Sequence, residues 1–384
     1  MNNRDSHPKD FRVVIAGGGV AALEAMLTLR ELAGSLTDVA VLAPEDDFVY
    51  RPMTVREPFA YGPAQRYPMR RLVEDAGAEL IVDELEWVDP AGRIAHTRAG
   101  AELAYDALVL ALGATARPRF EHALTIDDRR LEETFRGLVQ DVEDGYVSSL
   151  AFLVPGRMAW PLPIYELALM TAGRAYDMDV ELAVSIVTPE DGPLAIFGGI
   201  VSDAVARLLR EARIEVISSS YAEVPEAGHV EISPGERRLT VDRVVALPEL
   251  FGPGVRGVPL SEHGFIHIDP HGQVPGVGPV YAAGDASDFA VKFGGIAAQQ
   301  ADAAAESIAA LAGAPVTPAP FHPVIHGILL TDKRPRYLTA RITGGQGFGS
   351  EISDTPSWSP PSKIQARRLA PHLERYDREP ARHA

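Results

Sequence analysis

The chain has 384 residues, with 53 acidic against 36 basic side chains, a formal charge of −17 and no cysteine. This balance argues against a surface built for nucleic acid. The missing thiols exclude disulfides, cysteine nucleophiles, redox dithiols, thioether cofactor links and Cys-bound clusters.

An apolar fraction of 46% can supply a full core, and the length suggests two or three domains. No apolar run approaches the ~18 residues of a membrane span. The opening MNNRDSHPKD is polar and lacks the apolar stretch of a secretory signal, so a cytoplasmic location is expected.

Arg12 to Ala16 is a short apolar, β-branched run, as a buried parallel strand requires. Gly17, Gly19 and Ala22 then fill the G-x-G-x-x-G/A pattern of a dinucleotide-binding turn. The first glycine makes the turn, the second admits a pyrophosphate to the backbone, and the small third residue lets helix pack on strand. Ala21 to Leu32 reads as the helix whose N-terminal N–H groups face those phosphates.

Asp38 to Ala43 is a second strand, followed by the turn Pro44-Glu45-Asp46-Asp47. An acid at the end of this strand holds the adenosine ribose in such units, which makes Glu45 the candidate. The loop Phe48–Pro52, with Arg51 and Pro52, suits either contact with a ring system or plain packing. Residues 78–104 read as short β segments. Tyr105 to Ala114 is a continuous apolar strand ending in Ala111, Leu112 and Gly113, and Arg117-Pro118 closes the first segment. Leu131 to Val142 reads as a helix.

A second buried strand pattern opens at Ser149–Val154, and Val180–Val187 ends in Pro189-Glu190-Asp191, repeating Pro44-Glu45-Asp46 in the same strand context. The glycine fingerprint does not repeat. Trp160, Pro161 and Pro163 stand at the second turn, where two donors are deleted and an indole replaces open backbone. The second unit therefore cannot cradle a pyrophosphate in the usual way.

A Pro/Gly-rich stretch, Val244–Leu260, returns the chain to the first unit. Tyr281-Ala-Ala-Gly284-Asp285 is a short strand ending in an acid able to accept hydrogen bonds from a polyol. Lys292-Phe-Gly294-Gly295-Ile296-Ala297 opens an Ala-rich helix whose N-terminus offers N–H donors and positive potential. Lys292 points either inward or to solvent. Gly344–Gly349 reads as a loop without nucleotide-site context. Lys363 to Tyr376 reads as an amphipathic helix, with Ile364, Leu369, Leu373 and Tyr376 on one face and Lys363, Arg367, Arg368 and Arg375 among the rest.

Three separated segments, Gly17-x-Gly19-x-x-Ala22, Tyr105 to Ala114 and Tyr281 to Asp285, resemble the flavin-contacting motifs of flavoproteins with two dinucleotide-binding domains. The stretches Trp160 to Glu166 and Lys292 to Asp302 make the chain most similar to the sulfide:quinone oxidoreductase and type II NADH dehydrogenase branch. The resemblance covers roughly residues 10–330. It implies an α/β protein of two Rossmann-like domains, the first discontinuous (1–117 and 251–325), the second at 118–250, with a C-terminal extension over 326–384.

It further implies non-covalent FAD against Gly17, Gly19, Val20, Ala21, Ala22, Glu45, Arg51, Pro52, Ala111, Leu112, Gly113, Gly284, Asp285, Gly294, Gly295, Ile296 and Ala297. Asp285 would hold the ribityl chain, the helix at Gly294 would face the reduced ring, and Lys292 is the candidate catalytic residue. No metal is expected.

Trp160 stands where the sulfide:quinone oxidoreductases carry a cysteine, so their thiol chemistry is excluded. What remains is an FAD-dependent oxidoreductase between a small-molecule donor and a quinone or quinone-like acceptor, with NAD(P)H as donor left open by the eroded second turn. The alternative is a flavin-binding partner protein with a degenerate nucleotide domain. A homodimer and peripheral contact at the inner face of a membrane are the further partner expectations.

Overall fold

A computed structural model describes residues 11–157, 160–342 and 348–378. The first sheet is parallel, in the order Val280–Ala282, Ala107–Leu110, Phe11–Ala16, Thr37–Leu42, Glu79–Ile81. Its central strand is covered on both faces, which is why it reads as an unbroken apolar run: Val13, Val14, Ile15 and Ala16 are wholly buried. Val13 and Ile15 point to the helices Val20–Leu32 and Gly294–Leu311, while Val14 and Ala16 meet Val88, Ala95 and Tyr105 on the other side. That other side is a three-stranded meander, Leu85–Asp89, Ile94–Thr97 and Glu102–Ala104.

The two helices pack closely because one is rich in alanine. Ala25 and Leu29 share a core with Ala301, Ala304, Ala305 and Ile308, and Thr28 Oγ1 donates to Asp302 at 2.6 Å. Burying a leucine such as Leu29 contributes about 2 kcal/mol.

The second sheet repeats the plan, parallel in the order Leu124–Thr125, Arg243–Ala246, Ser149–Leu153, Ala183–Val187, Ile214–Ile217. Helices Leu131–Glu143 and Leu162–Asp177 cover one face, and the meander Tyr221–Glu226, His229–Ser233 and Arg237–Thr240 covers the other. Two Rossmann-like units, the first interrupted by the second, are thus the architecture. The chain crosses between them on two antiparallel segments, Thr115–Arg117 and Glu249–Phe251. Phe251 sits between the guanidinium groups of Arg117 and Arg157, 4.4 and 4.5 Å from its ring centre. The strand expected from Val180 begins at Ala183, because the Val180 N–H still bonds to Ala175 O at the end of the preceding helix.

A third layer follows: the antiparallel strands Val324–Leu329, Arg336–Ile342 and Phe348–Ser353, then the helix Leu369–Arg378. Two expectations need correction here. Gly349 lies in a strand, paired with Arg341; Gly344–Gly347 lie outside the described residues, as do Met158, Ala159 and the first ten residues.

The second correction concerns the C-terminal helix, which starts at Leu369 and not at Lys363. The backbone donors before it are claimed from elsewhere: Ile364 N–H goes to Tyr50 Oη at 2.7 Å, and Arg368 and Leu369 N–H go to the Glu24 carboxylate at 2.8 and 2.6 Å. Lys363 and Arg368 are therefore buried ion-pair partners, not members of a solvated face. No helix among the described residues is long and apolar enough to cross a membrane.

Candidate cofactor site

The turn after Phe11–Ala16 is held from two sides. Gly17 N–H donates to Leu42 O at 2.8 Å, and its backbone lies so close to the end of the strand Ala107–Leu110 that an added Cβ would stand 2.1 Å from Ala111 O, at φ +124°. Gly18 is crowded by Met69, Ala43 and Glu45. Gly19, by contrast, caps the helix Val20–Leu32 with nothing within 4 Å of a hypothetical Cβ. The first glycine serves the fold and the third leaves the helix N-terminus open to a ligand.

That N-terminus floors a cleft lined by Gly18, Gly19, Val20, Glu45, Arg51, Pro52 and Ile364, among others. Its volume, about 110 Å³, is below the ~300–1,000 Å³ of pockets that enclose a small-molecule ligand, so a dinucleotide here must lie along a groove. Glu45 reaches it from the end of the second strand as an exposed carboxylate. Arg51 opens a 3₁₀ turn, Arg51–Phe59, and pairs with Asp128 at 3.3 Å. Ala111 N–H bonds to Ala16 O at 2.8 Å, and Gly113 follows with φ 71°, bending the chain away from the sheet.

Gly284 (φ 76°) packs between Ala21 and Ala297, so the Gly284-Asp285 turn is seated on both helix N-termini. Gln300 fixes it by accepting from Gly284 N–H at 2.8 Å and Ser287 Oγ at 3.2 Å. Asp285 feels Lys292, Asp128 and Arg51 through their charges, and no hydrogen-bond donor is among its influences; burial pushes its carboxyl up to about 6.

Lys292 points inward. Its ammonium donates to Ser287 O and lies 4.2 Å from the centre of the Phe265 ring, while burial pulls it down to about 8 against Asp285 and Asp288. It thus reaches the groove through its field on Asp285. Gly294, Gly295, Ile296 and Ala297 form the first turn of the second helix, capped by Phe293. Trp160 stacks on Phe293 at 4.3 Å between ring centres.

Sequence reasoning missed four contributors. Tyr50, Glu166, Lys363 and Ile364 come from three distant segments, and no local motif joins them. Lys363 Nζ bridges Glu166 Oε1 and Oε2 at 2.7 and 2.8 Å and Pro52 O at 3.0 Å.

The two Pro-Glu-Asp turns differ sharply. Glu45 is exposed at the cleft, whereas Glu190 is turned inward, where Tyr165 Oη donates to it at 2.7 Å and Thr188 Oγ1 at 3.1 Å. Burial raises its carboxyl despite these bonds. The helix behind the second turn starts at Leu162, with Pro161 as its cap and Pro163 in its first turn. Among the described residues no His, Asp and Glu cluster could hold a metal.

The first unit's residues fit FAD: an open helix N-terminus for a pyrophosphate, a carboxylate at the second strand's end for a ribose, and Asp285 free to accept a hydroxyl. Asp285→Ala is expected to weaken FAD retention about ten- to a hundred-fold, the loss of a charge-assisted bond of roughly 1.5–3 kcal/mol. A hydroxyl donor favours the carboxylate, so wild-type retention should also fall as pH drops through about 6. Fluorimetric FAD titration checks both. A pH-independent wild type, or an unchanged Asp285→Ala variant, would make this acid purely structural.

Residues 11–144 match the pyridine nucleotide-disulphide oxidoreductase family model. Over most of its length the chain superposes on the sulfide:quinone oxidoreductase of the hyperthermophilic bacterium Aquifex aeolicus, with TM-score 0.79 and 18% identity, covering 90% of this chain and 87% of that one. A ferredoxin reductase from Rhodopseudomonas palustris follows at TM-score 0.66 and 20% identity, covering 86% and 82%. NDH2 of Plasmodium falciparum, in complex with NADH, gives 0.58 and 14%, covering 73% and 65%. Residues 11–144 thus match that family model, and the chain as a whole has the fold shared by these oxidoreductases.

Proposed function

We propose that this protein is an FAD-dependent oxidoreductase that passes electrons from a small-molecule donor to a quinone-like acceptor without any thiol step, and for which NAD(P)H is a poor donor. One observation carries the reading: of two Pro-Glu-Asp turns in matching positions, the first presents its glutamate to an open groove and the second locks its glutamate on Tyr165. The unit built to hold a dinucleotide is the one with the glycine turn.

Bound in this groove, FAD would supply the redox chemistry. The chain's part is to bind and to set charge. The Val20 helix N-terminus would hold the pyrophosphate, Glu45 the adenosine ribose and Asp285 the ribityl chain. The Gly294 helix N-terminus favours negative charge near the ring, and Lys292 keeps Asp285 ionised. With no cysteine in the chain, sulfide or disulfide turnover by a thiol route has no nucleophile.

The purified protein should be yellow, and acid precipitation should leave all the flavin in the supernatant. In anaerobic stopped flow, NADH and NADPH should bind no better than about millimolar, roughly −4 kcal/mol, and reduce the flavin slowly against typical turnovers of about 10 per second. Replacing Trp160-Pro161-Leu162-Pro163 by a glycine-containing turn should speed that reduction. Rapid bleaching of wild-type flavin by sub-millimolar NADH would overturn the donor assignment; a colourless folded protein would overturn the rest.

A further inference from the structure

The strap Ser362–Arg368, between the third layer and the last helix, is non-helical and mostly buried. Its ion pairs and long-range hydrogen bonds run to the two helices and the loop that form the groove, and to Glu166 on the helix Leu162–Asp177 of the second unit. Lys363 reaches Pro52 O and Glu166, and Ile364 N–H reaches Tyr50 Oη, on the loop that lines the cleft. Arg368 and Leu369 N–H cap onto Glu24, and the Arg368 guanidinium pairs with Asp302 at 2.7 Å and Glu31 at 3.0 Å. Glu24 belongs to the helix whose N-terminus floors the cleft, and Asp302 to the helix that opens at Gly294.

Between these ties Ile364 does two things at once. It is a wall of the cleft, and it packs so tightly on Gly294 that a Cβ there would meet its Cγ1 at 2.9 Å. Its neighbours thus belong to both ends of the groove, the Arg51-Pro52 loop and the N-terminus of the Gly294 helix.

We propose that Ile364 is a cofactor-positioning residue and that the strap carrying it closes the groove over the bound flavin. The proposal rests on the FAD reading above. Because a ligand touching Ile364 and the strap holding Ile364 share one free energy, each stabilises the other by the same factor. FAD should therefore protect the strap, and an intact strap should slow FAD release. A backbone donor tied to Tyr50 and a side chain set against Gly294 leave Ile364 one orientation, so what it contributes is shape.

The test uses the full-length, FAD-loaded protein with Ile364→Ala and Ile364→Val. The alanine variant should release FAD at least tenfold faster and alter the visible circular dichroism of the bound flavin, while the valine variant restores both close to wild type. In parallel, trypsin should cut at Lys363, Arg367 or Arg368 at least tenfold faster in the FAD-free protein than in the loaded one. This second arm stands even if the alanine variant does not fold. A lowered melting temperature with unchanged release and dichroism would make Ile364 a core residue only. Equal strap cleavage with and without bound FAD would remove the closure. A wild-type protein that binds no FAD fails earlier and sinks the reading beneath, an outcome seen before any variant is made.

Discussion

Lys363→Met should destabilise the protein by about 3–5 kcal/mol, the cost of leaving a buried charge without its partner. Glu166 is 1% exposed and Lys363 5%, so water cannot take over from either side. Burial pushes the Glu166 carboxyl up and pulls the Lys363 ammonium down; their mutual attraction opposes both shifts, and the Leu330 N–H adds to it on the Glu166 side. Methionine keeps the length of the stem but removes the charge and the bonds to Glu166 and Pro52. The double variant Glu166→Gln, Lys363→Met should recover most of the loss. A carboxamide can still accept the Leu330 N–H, now at 2.8 Å from Glu166 Oε1, and no charge is left stranded. Urea denaturation followed by circular dichroism measures all three. A single-variant loss below about 1 kcal/mol would show that the pair behaves as a surface salt bridge does.

Gly17→Ala is expected to cost at least about 3 kcal/mol and to abolish FAD binding with it. The new methyl would overlap Ala111 O, a backbone atom just past the neighbouring strand Ala107–Leu110, and φ +124° is itself unfavourable for alanine. Neither strand can yield, because Ala111 N–H is bonded back to Ala16 and Gly17 N–H to Leu42. Gly19→Ala is the informative contrast. Its φ of −87° suits any residue and its Cβ would point into open space, so the melting temperature should stay put while FAD affinity falls. Thermal melts with FAD titration separate the two. Equal melting temperatures for the Gly17→Ala variant and wild type would mean that the turn relaxes more freely than its bonds imply.

These two glycines also show how far local reading carries. Strand, turn and helix were legible because each is set by neighbours in sequence: apolar β-branched residues for the buried strand, glycine where the backbone must turn, alanine where helix meets helix. The order of the motifs, Gly17 to Ala22, then Tyr105 to Gly113, then Tyr281 to Asp285, was enough to bring one sheet and one groove together. The total absence of cysteine by itself excludes thiol chemistry.

Tertiary structure decided what depends on partners far along the chain. Pro44-Glu45-Asp46 and Pro189-Glu190-Asp191 are the same letters, yet one acid lines a groove and the other is held by Tyr165, because a tyrosine from the neighbouring helix stands in only one of the two units. Lys292 reads as either buried or solvated until the Phe265 ring and Ser287 carbonyl are seen around it. The strap misled most: Lys363 to Arg368 has the spacing of an amphipathic helix, but its N–H groups and charges are taken by Tyr50, Glu24, Glu166 and Asp302, each more than 60 positions away. Periodicity reports what a segment can do alone. Long-range hydrogen bonds to buried acceptors outweigh it, and the sequence does not announce them.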